Sequence, residues 1–279
     1  MSLIGATFGA LKSSGEGAYI PYVCCGDRGT EFTVKLVRTL AKAGADIVEL
    51  GLPFSDPLAD GPTIQAAMVR ALSSGFTTQS LFDTISRIRD DGIGKPIVVM
   101  TYYNPVVRMG VDAFCEKLSK VGGDAVLTVD LPIEESRQLD DAAGDNGLDV
   151  IRLVAPTTSD ARAREIMGQA TGFVYAVSIS GVTGAKDTLP DTAVSLLGRL
   201  SRISSVPVAL GFGISNQGQV RDAISAGASG VVEGSALINM YSQSSQDEES
   251  VLDLIEKHSR GIKSATRFIS DEETQKERL

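Results

Sequence analysis

Short apolar runs alternate with longer amphipathic stretches along the whole chain. The runs Ala18–Cys24, Asp46–Leu50, Ile97–Thr101, Ala125–Val129, Val150–Val154, Phe173–Val177, Val208–Leu210 and Gly230–Glu233 are bounded by Gly, Pro, Asp or a charged residue, and they read as eight strands. Between them, apolar positions recur at helical spacing. Phe32–Ala43 sets Val34, Val37, Leu40 and Ala41 on one face, and Leu81–Arg89 does the same with Leu81, Ile85 and Ile88. Val111–Val121, Glu134–Ala143, Ala161–Gly168, Thr192–Ile203 and Gln219–Ala226 complete the helical set. Lys42–Asp46 (KAGAD) and Ser225–Ser229 (SAGAS) each place a glycine after a helix and before a strand, the expected helix stop.

Strands alternating with helices imply a parallel sheet. Eight such units imply closure, because the first and last strands then pair and leave no open edge. The expected fold is a single (β/α)₈ barrel over residues 1–269, with a charged, frayed tail over 270–279. An extra N-terminal helix over Ser2–Ser14 is expected to cap the barrel floor, and an inserted helix over Pro62–Gly75 to follow strand two. The doubly wound alternative calls for a glycine-rich turn after the first strand. Here the glycine-rich turns follow strands six, seven and eight.

The 279 residues are 43% hydrophobic, enough for a core of that size. A formal net charge of −9 speaks against a nucleic-acid partner, and it means that an anionic ligand must be held by local backbone groups. Cys24, Cys25 and Cys115 have no framework spacing and read as buried, reduced thiols. No signal peptide and no membrane span are legible, so a cytoplasmic protein is expected. The single histidine, His258 in the helical segment Leu252–Arg260, leaves little room for a histidine metal site and reads as a surface residue.

In a barrel of this kind the chemistry sits on the loops after the strands. Strand two runs into Glu49–Gln65 (ELGLPFSDPLADGPTIQ), a loop shaped by three prolines and carrying three carboxylates. Alternation points Glu49 into the barrel, where desolvation raises a carboxyl pKa and suits it to general acid–base work. The competing reading pairs Glu49 with a buried cation. Asp56 and Asp60 can each serve chemistry or cap the next helix. Ser178–Asp191 after strand six has the composition of a lid, and Tyr175 is either substrate-facing or ordinary core. After strand seven, Leu210–Ser215 (LGFGIS) precedes a helix that Ser215 or Asn216 can cap. After strand eight, Gly234 and Ser235 open a short helix. Two such turns one unit apart suit a phosphate held by backbone N–H groups and a helix N-terminus.

These residues carry a family resemblance. Glu49–Gln65 closely resembles the signature of the tryptophan synthase alpha chain family. Tyr19–Asp27 (YIPYVCCGD), Met100–Val106 (MTYYNPV), Val129–Ser136 (VDLPIEES), Leu153–Thr158 (LVAPTT), Val174–Ala185 (VYAVSISGVTGA), GFGIS and EGSA follow in the family's order, covering the chain from about residue 1 to 267. The resemblance implies retro-aldol cleavage of indole-3-glycerol phosphate to indole and glyceraldehyde-3-phosphate. Glu49 is then the general acid–base residue and Asp60 the carboxylate facing the indole nitrogen. It further implies a phosphate held by Gly184, Gly213, Gly234 and Ser235, with Gly211 and Phe212 beside it. The indole pocket would be lined by Tyr22, Met100, Leu127, Leu153, Tyr175 and Val232, and Thr183 would belong to the lid. Departures from the family pattern are small: Tyr22 stands where many members have Phe, Met100 where many have Leu, and Cys24–Cys25 replaces a Thr-containing pair.

The resemblance also implies a beta-chain partner in an αββα tetramer, with pyridoxal phosphate on that partner and no cofactor on this chain. The contact surface is expected around Pro53–Pro62, Asn104–Gly110 and Leu131–Glu135. Two alternatives stay open at this level: another phosphate-binding barrel enzyme, and a non-catalytic alpha-like chain that only activates its partner.

Overall fold

All eight expected strands form, and every pairing between them is parallel. The computed structural model describes residues 2–177, 188–211, 213–242, 244 and 247–268. The strands are β1 Ala18–Cys24, β2 Val48–Gly51, β3 Ile97–Thr101, β4 Ala125–Thr128, β5, β6 Val174–Val177, β7 Val208–Gly211 and β8 Gly230–Glu233. Strand β5 comes in two segments, Asp149–Val150 and Arg152–Val154. Its first segment pairs with β4 and its second with β6, so the order β5-β4-β3-β2-β1-β8-β7-β6 returns to β5 and the barrel closes. Ile151 bridges the break by donating its N–H to Val126 O at 3.0 Å.

Register decides which side chains share the interior. Tyr22 aligns with Glu49, Glu49 with Val98, Met100 with Leu127, Leu153 with Tyr175 and Ile20 with Val232. Lateral partners in parallel strands lie on one face of the sheet. Tyr175 on β6 feels the charge of Glu49 on β2, four strands away around the ring, so that face lines the barrel interior.

The helices are α1 Leu3–Ser13, α2 Thr30–Ala43, α3 Pro62–Ser73, α4 Thr78–Asp90, α5 Tyr103–Met109, α6 Val111–Lys120, α7 Arg137–Asp145, α8 Asp160–Gly168, α9 Asp191–Ile203, α10 Gln217–Ser225, α11 Ser235–Ser242 and α12 Glu248–Ser264. Helix α1 buries Ile4 and Phe8, and the Phe8 ring sits 5.7 Å from that of Phe173, just before β6 begins. That contact plugs the N-terminal end of the barrel, each buried side chain contributing about 1.5–3 kcal/mol. Gly44 and Gly227 adopt φ of 106° and 101°, left-handed values that stop α2 and α10 as their positions imply.

The structure departs from expectation in four places. A short helix, α5, forms directly after strand three, where no helix was expected. The helix expected over Glu134–Ala143 divides into a 3₁₀ turn, Ile133–Glu135, and α7, because the buried Arg152 guanidinium reaches Ser136 Oγ at 2.9 Å and Asp140 at the junction. Strand five is interrupted at Ile151, where the chain changes partner. His258, read as a surface residue, is half-buried: its side chain is 25% exposed and Nε2 lies 2.6 Å from Glu233 Oε1. The boundary at 269/270 and the tail 270–279 lie outside the described residues. Among the described residues no helix is long and apolar enough to cross a membrane. Cys24, Cys25 and Cys115 are buried and unbridged.

Candidate active site

Glu49 interrupts the apolar run Ile47–Leu50, and β2 carries it inward. Its side chain is fully buried, and neither carboxylate oxygen has a hydrogen-bond partner among the described residues. That excludes the reading in which a buried cation holds it. An isolated ion in such a place is costly, so the carboxyl keeps its proton instead. Burial, with the nearby Asp60 carboxylate adding to it, raises its pKa to about 8.

Asp60 reaches the same interior from the loop after β2. Its N–H donates to Pro57 O at 3.1 Å, and Gly61, not Asp60, caps α3, whose first residue is Pro62. Asp60 Oδ2 accepts a 2.7 Å hydrogen bond from Tyr102 Oη, while Oδ1 is buried without a partner. Burial raises the Asp60 pKa and the Tyr102 bond pulls it back down. Tyr102 Oη also accepts from Ala59 N–H at 2.9 Å, and its ring stacks on Phe54 at 5.0 Å. The sequence reading gave Tyr102 no role. Its only signal was its position directly after β3, within the family-like stretch Met100–Val106.

Two tyrosines face these carboxylates across glycines. Tyr22 Oη is buried and unpartnered, and a Cβ at Gly51 would lie 2.1 Å from it. Burial raises the Tyr22 pKa, with Cys24, Asp60 and Glu49 contributing. A Cβ at Gly211 would fall 1.8 Å from Tyr175 Cε1, so the ring occupies the space that a side chain at 211 would need. Met100, Leu127 and Val232 are buried and Leu153 is half-buried, in register with the faces described above.

On the β7–β8 side, Gly213 has φ of 85° and Asn216 Oδ1 caps α10 by accepting from Gln219 N–H at 3.0 Å. The first turn of α11 begins at Gly234 O, which accepts from Ile238 N–H at 3.1 Å, and Ser235 is exposed. The first N–H groups of that helix have no intrahelical acceptor and suit an anion. Thr183, Gly184 and Phe212, together with most of the expected lid, lie outside the described residues. Among the described residues no grouping of His, Cys, Asp and Glu could hold a metal.

Two desolvated carboxyls at the C-terminal end of a closed (β/α)₈ barrel, one protonated near neutrality and one steadied by a phenol, define a barrel enzyme of the acid–base type. The family model for the tryptophan synthase alpha chain matches residues 8–267. The chain is 43% identical over 269 residues to the tryptophan synthase alpha chain of Carboxydothermus hydrogenoformans, covering 95% of this chain and 100% of that one. It is 41% identical to that of Methanosarcina barkeri, over 94% and 98% of the two chains. Among solved structures it resembles Mycobacterium tuberculosis tryptophan synthase, with a TM-score of 0.87 and 34% identity over 96% of this chain and 99% of that one. It also resembles the Legionella pneumophila alpha subunit, with a TM-score of 0.86 and 32% identity over 95% and 98%. The chain belongs to the tryptophan synthase alpha chain family.

Proposed function

We propose that the protein cleaves indole-3-glycerol phosphate into indole and glyceraldehyde-3-phosphate, late in tryptophan biosynthesis. The observation that carries this reading is the buried, unpaired Glu49, protonated near neutral pH beside Asp60. Protonated Glu49 gives its proton to indole C3 while Asp60 takes the proton from the indole nitrogen, which leaves the ring as a neutral imine. The Glu49 carboxylate then removes the proton of the glycerol hydroxyl next to the ring. The oxygen electron pair becomes the aldehyde C=O, the C–C bond breaks, and its electrons return through the ring to the nitrogen, which recovers its proton from Asp60. Glu49 ends the cycle protonated, as it began. Tyr22, Met100, Leu127, Leu153, Tyr175 and Val232 are proposed to line the indole pocket. Gly184, Gly213, Gly234 and Ser235 are proposed to hold the phosphate, with Gly211 and Phe212 beside it and Thr183 in the lid.

The proposed setting is an αββα tetramer in the cytoplasm, with indole passing to a beta chain that carries pyridoxal phosphate. No residue of this chain is assigned to a cofactor. Support for the docking face comes from Leu58, 92% exposed in the Pro53–Pro62 loop, and Val107, 52% exposed on α5. Large apolar side chains left in solvent there suit a partner surface.

Indole release by the purified chain, with and without a beta chain and with Glu49→Gln as control, tests the reading. Turnover that rises with the partner and vanishes in the variant is expected. Partner activation with no turnover from wild type would favour a non-catalytic alpha-like chain.

A further inference from the structure

Glu233 ends β8, and alternation with Val232 places it on the outer face of the barrel. It is fully buried there. Its Oε2 accepts a 2.8 Å hydrogen bond from Tyr19 Oη, which also reaches Ser259 Oγ at 3.1 Å. Its Oε1 lies 2.6 Å from Nε2 of His258 on α12. A buried carboxylate needs a compensating charge, and among the described residues His258 is the cation paired with it. The bond to Glu233 raises the His258 pKa above the usual imidazole value, against the opposing effect of burial. His258 also borders an outer cavity of about 610 Å³ shared with Arg221 of α10 and Lys257 of α12, which gives its proton a path to solvent. Among the described residues Glu233 is the charged group that acts on the imidazole, and Arg221 and Lys257 line the cavity beside it.

The next residues after Glu233 are Gly234 and Ser235. We propose that Glu233 and His258 are positioning residues for the substrate phosphate: the pair ties the end of β8 to α12, sets the Gly234–Ser235 turn, and keeps the Glu233 charge neutralised beside the bound anion. The proposal rests on the phosphate-site reading of that turn. The pair touches neither the indole nor the reacting atoms, so it acts on substrate affinity. The raised His258 pKa makes the compensation complete below the ordinary imidazole value of about 6.5 and removes it as pH rises through the folded-state value. Anion affinity therefore falls with rising pH, by a component that needs both Glu233 and His258.

Inorganic sulfate, whose charge is constant over this range, is the probe. Its Kd is measured by calorimetry from about pH 6 to about pH 9 on wild type, H258N, E233Q and G234V, alongside KM and kcat for the full complex. Wild-type affinity is expected to fall roughly threefold or more across that range, the size of one charge interaction at a helix end. H258N is expected to be weak and E233Q tight across the range, each without the part of the pH dependence that the pair supplies, with KM following Kd more closely than kcat does. A wild-type pH profile in both H258N and E233Q would overturn the proposal alone. Sulfate binding that persists in G234V, or none in wild type, would overturn the phosphate-site reading and the proposal with it.

Discussion

Tyr102 bonds to Asp60 in a way that favours the ionised carboxylate, against the burial that raises its pKa. The phenol donates to Asp60 Oδ2 at 2.7 Å; burial raises both pKa values, and the bond raises that of Tyr102 further while pulling that of Asp60 back down. A hydrogen bond to the charged form favours that form. Tyr102→Phe should therefore let Asp60 protonate at higher pH and move the acid limb of the kcat/KM profile upward, with activity lower by about tenfold or more at neutral pH. A pH–rate profile of the variant superimposable on wild type would detach Asp60 from proton transfer.

Glu49→Gln should lose about 10²-fold or more in turnover while gaining stability in base. The folded-state pKa of about 8 lies above the ordinary value. The acid form therefore stabilises the native state fully below the unfolded value of about 4.3, and that stabilisation drains away as pH rises through the folded value. Replacing the carboxyl with a neutral amide removes this dependence. Thermal melts should show the variant ahead of wild type by a margin that grows from pH 5 to pH 9, on the order of a few kcal/mol at the alkaline end.

Gly211→Ala drives a methyl into the Tyr175 ring, 1.8 Å from Cε1. An interior that cannot expand answers with displaced side chains, at a cost of about 1–3 kcal/mol. The shift falls beside the proposed phosphate turn, so KM should rise together with a lower Tm. Adding Tyr175→Leu should recover most of the stability, and failure to do so would mean that another contact limits position 211.

Asp27, buried after β1, is gripped by Arg70 of α3 through two hydrogen bonds of 2.8 and 2.7 Å. Arg70→Met removes both of those hydrogen bonds and the paired charge, and because Arg70 is partly exposed the expected loss is about 1–3 kcal/mol. Asp27→Asn in the same chain should restore much of it. Denaturant unfolding of the two singles and the double measures the coupling.

Leu58→Asp should weaken binding of the beta chain by about tenfold or more, the usual size of a lost apolar anchor, while leaving indole release by the isolated chain near wild type. Size-exclusion chromatography with the partner and the isolated-chain assay separate the two effects. Unaltered complex formation would remove Leu58 from the docking face.

The sequence by itself determined the run of alternating strands and helices, because alternation and helical spacing are local properties that each segment carries with it. It also marked Glu49, whose place in the alternation of β2 points it into the barrel. Gly44 and Gly227 were legible for the same reason, since only glycine takes φ above 100° readily in those turns. Tertiary structure decided what depends on partners far along the chain. Helix α5 starts where Asp130, from beyond β4, accepts the Tyr103 N–H at 2.8 Å, a cap no local window contains. Strand β5 breaks because two different neighbours claim its halves. Tyr102 and Asp60 are 42 positions apart and Glu233 and His258 are 25 apart, yet each pair lies within hydrogen-bond distance. Closure of the barrel brings them together, and with them the protonation states on which the proposed chemistry depends.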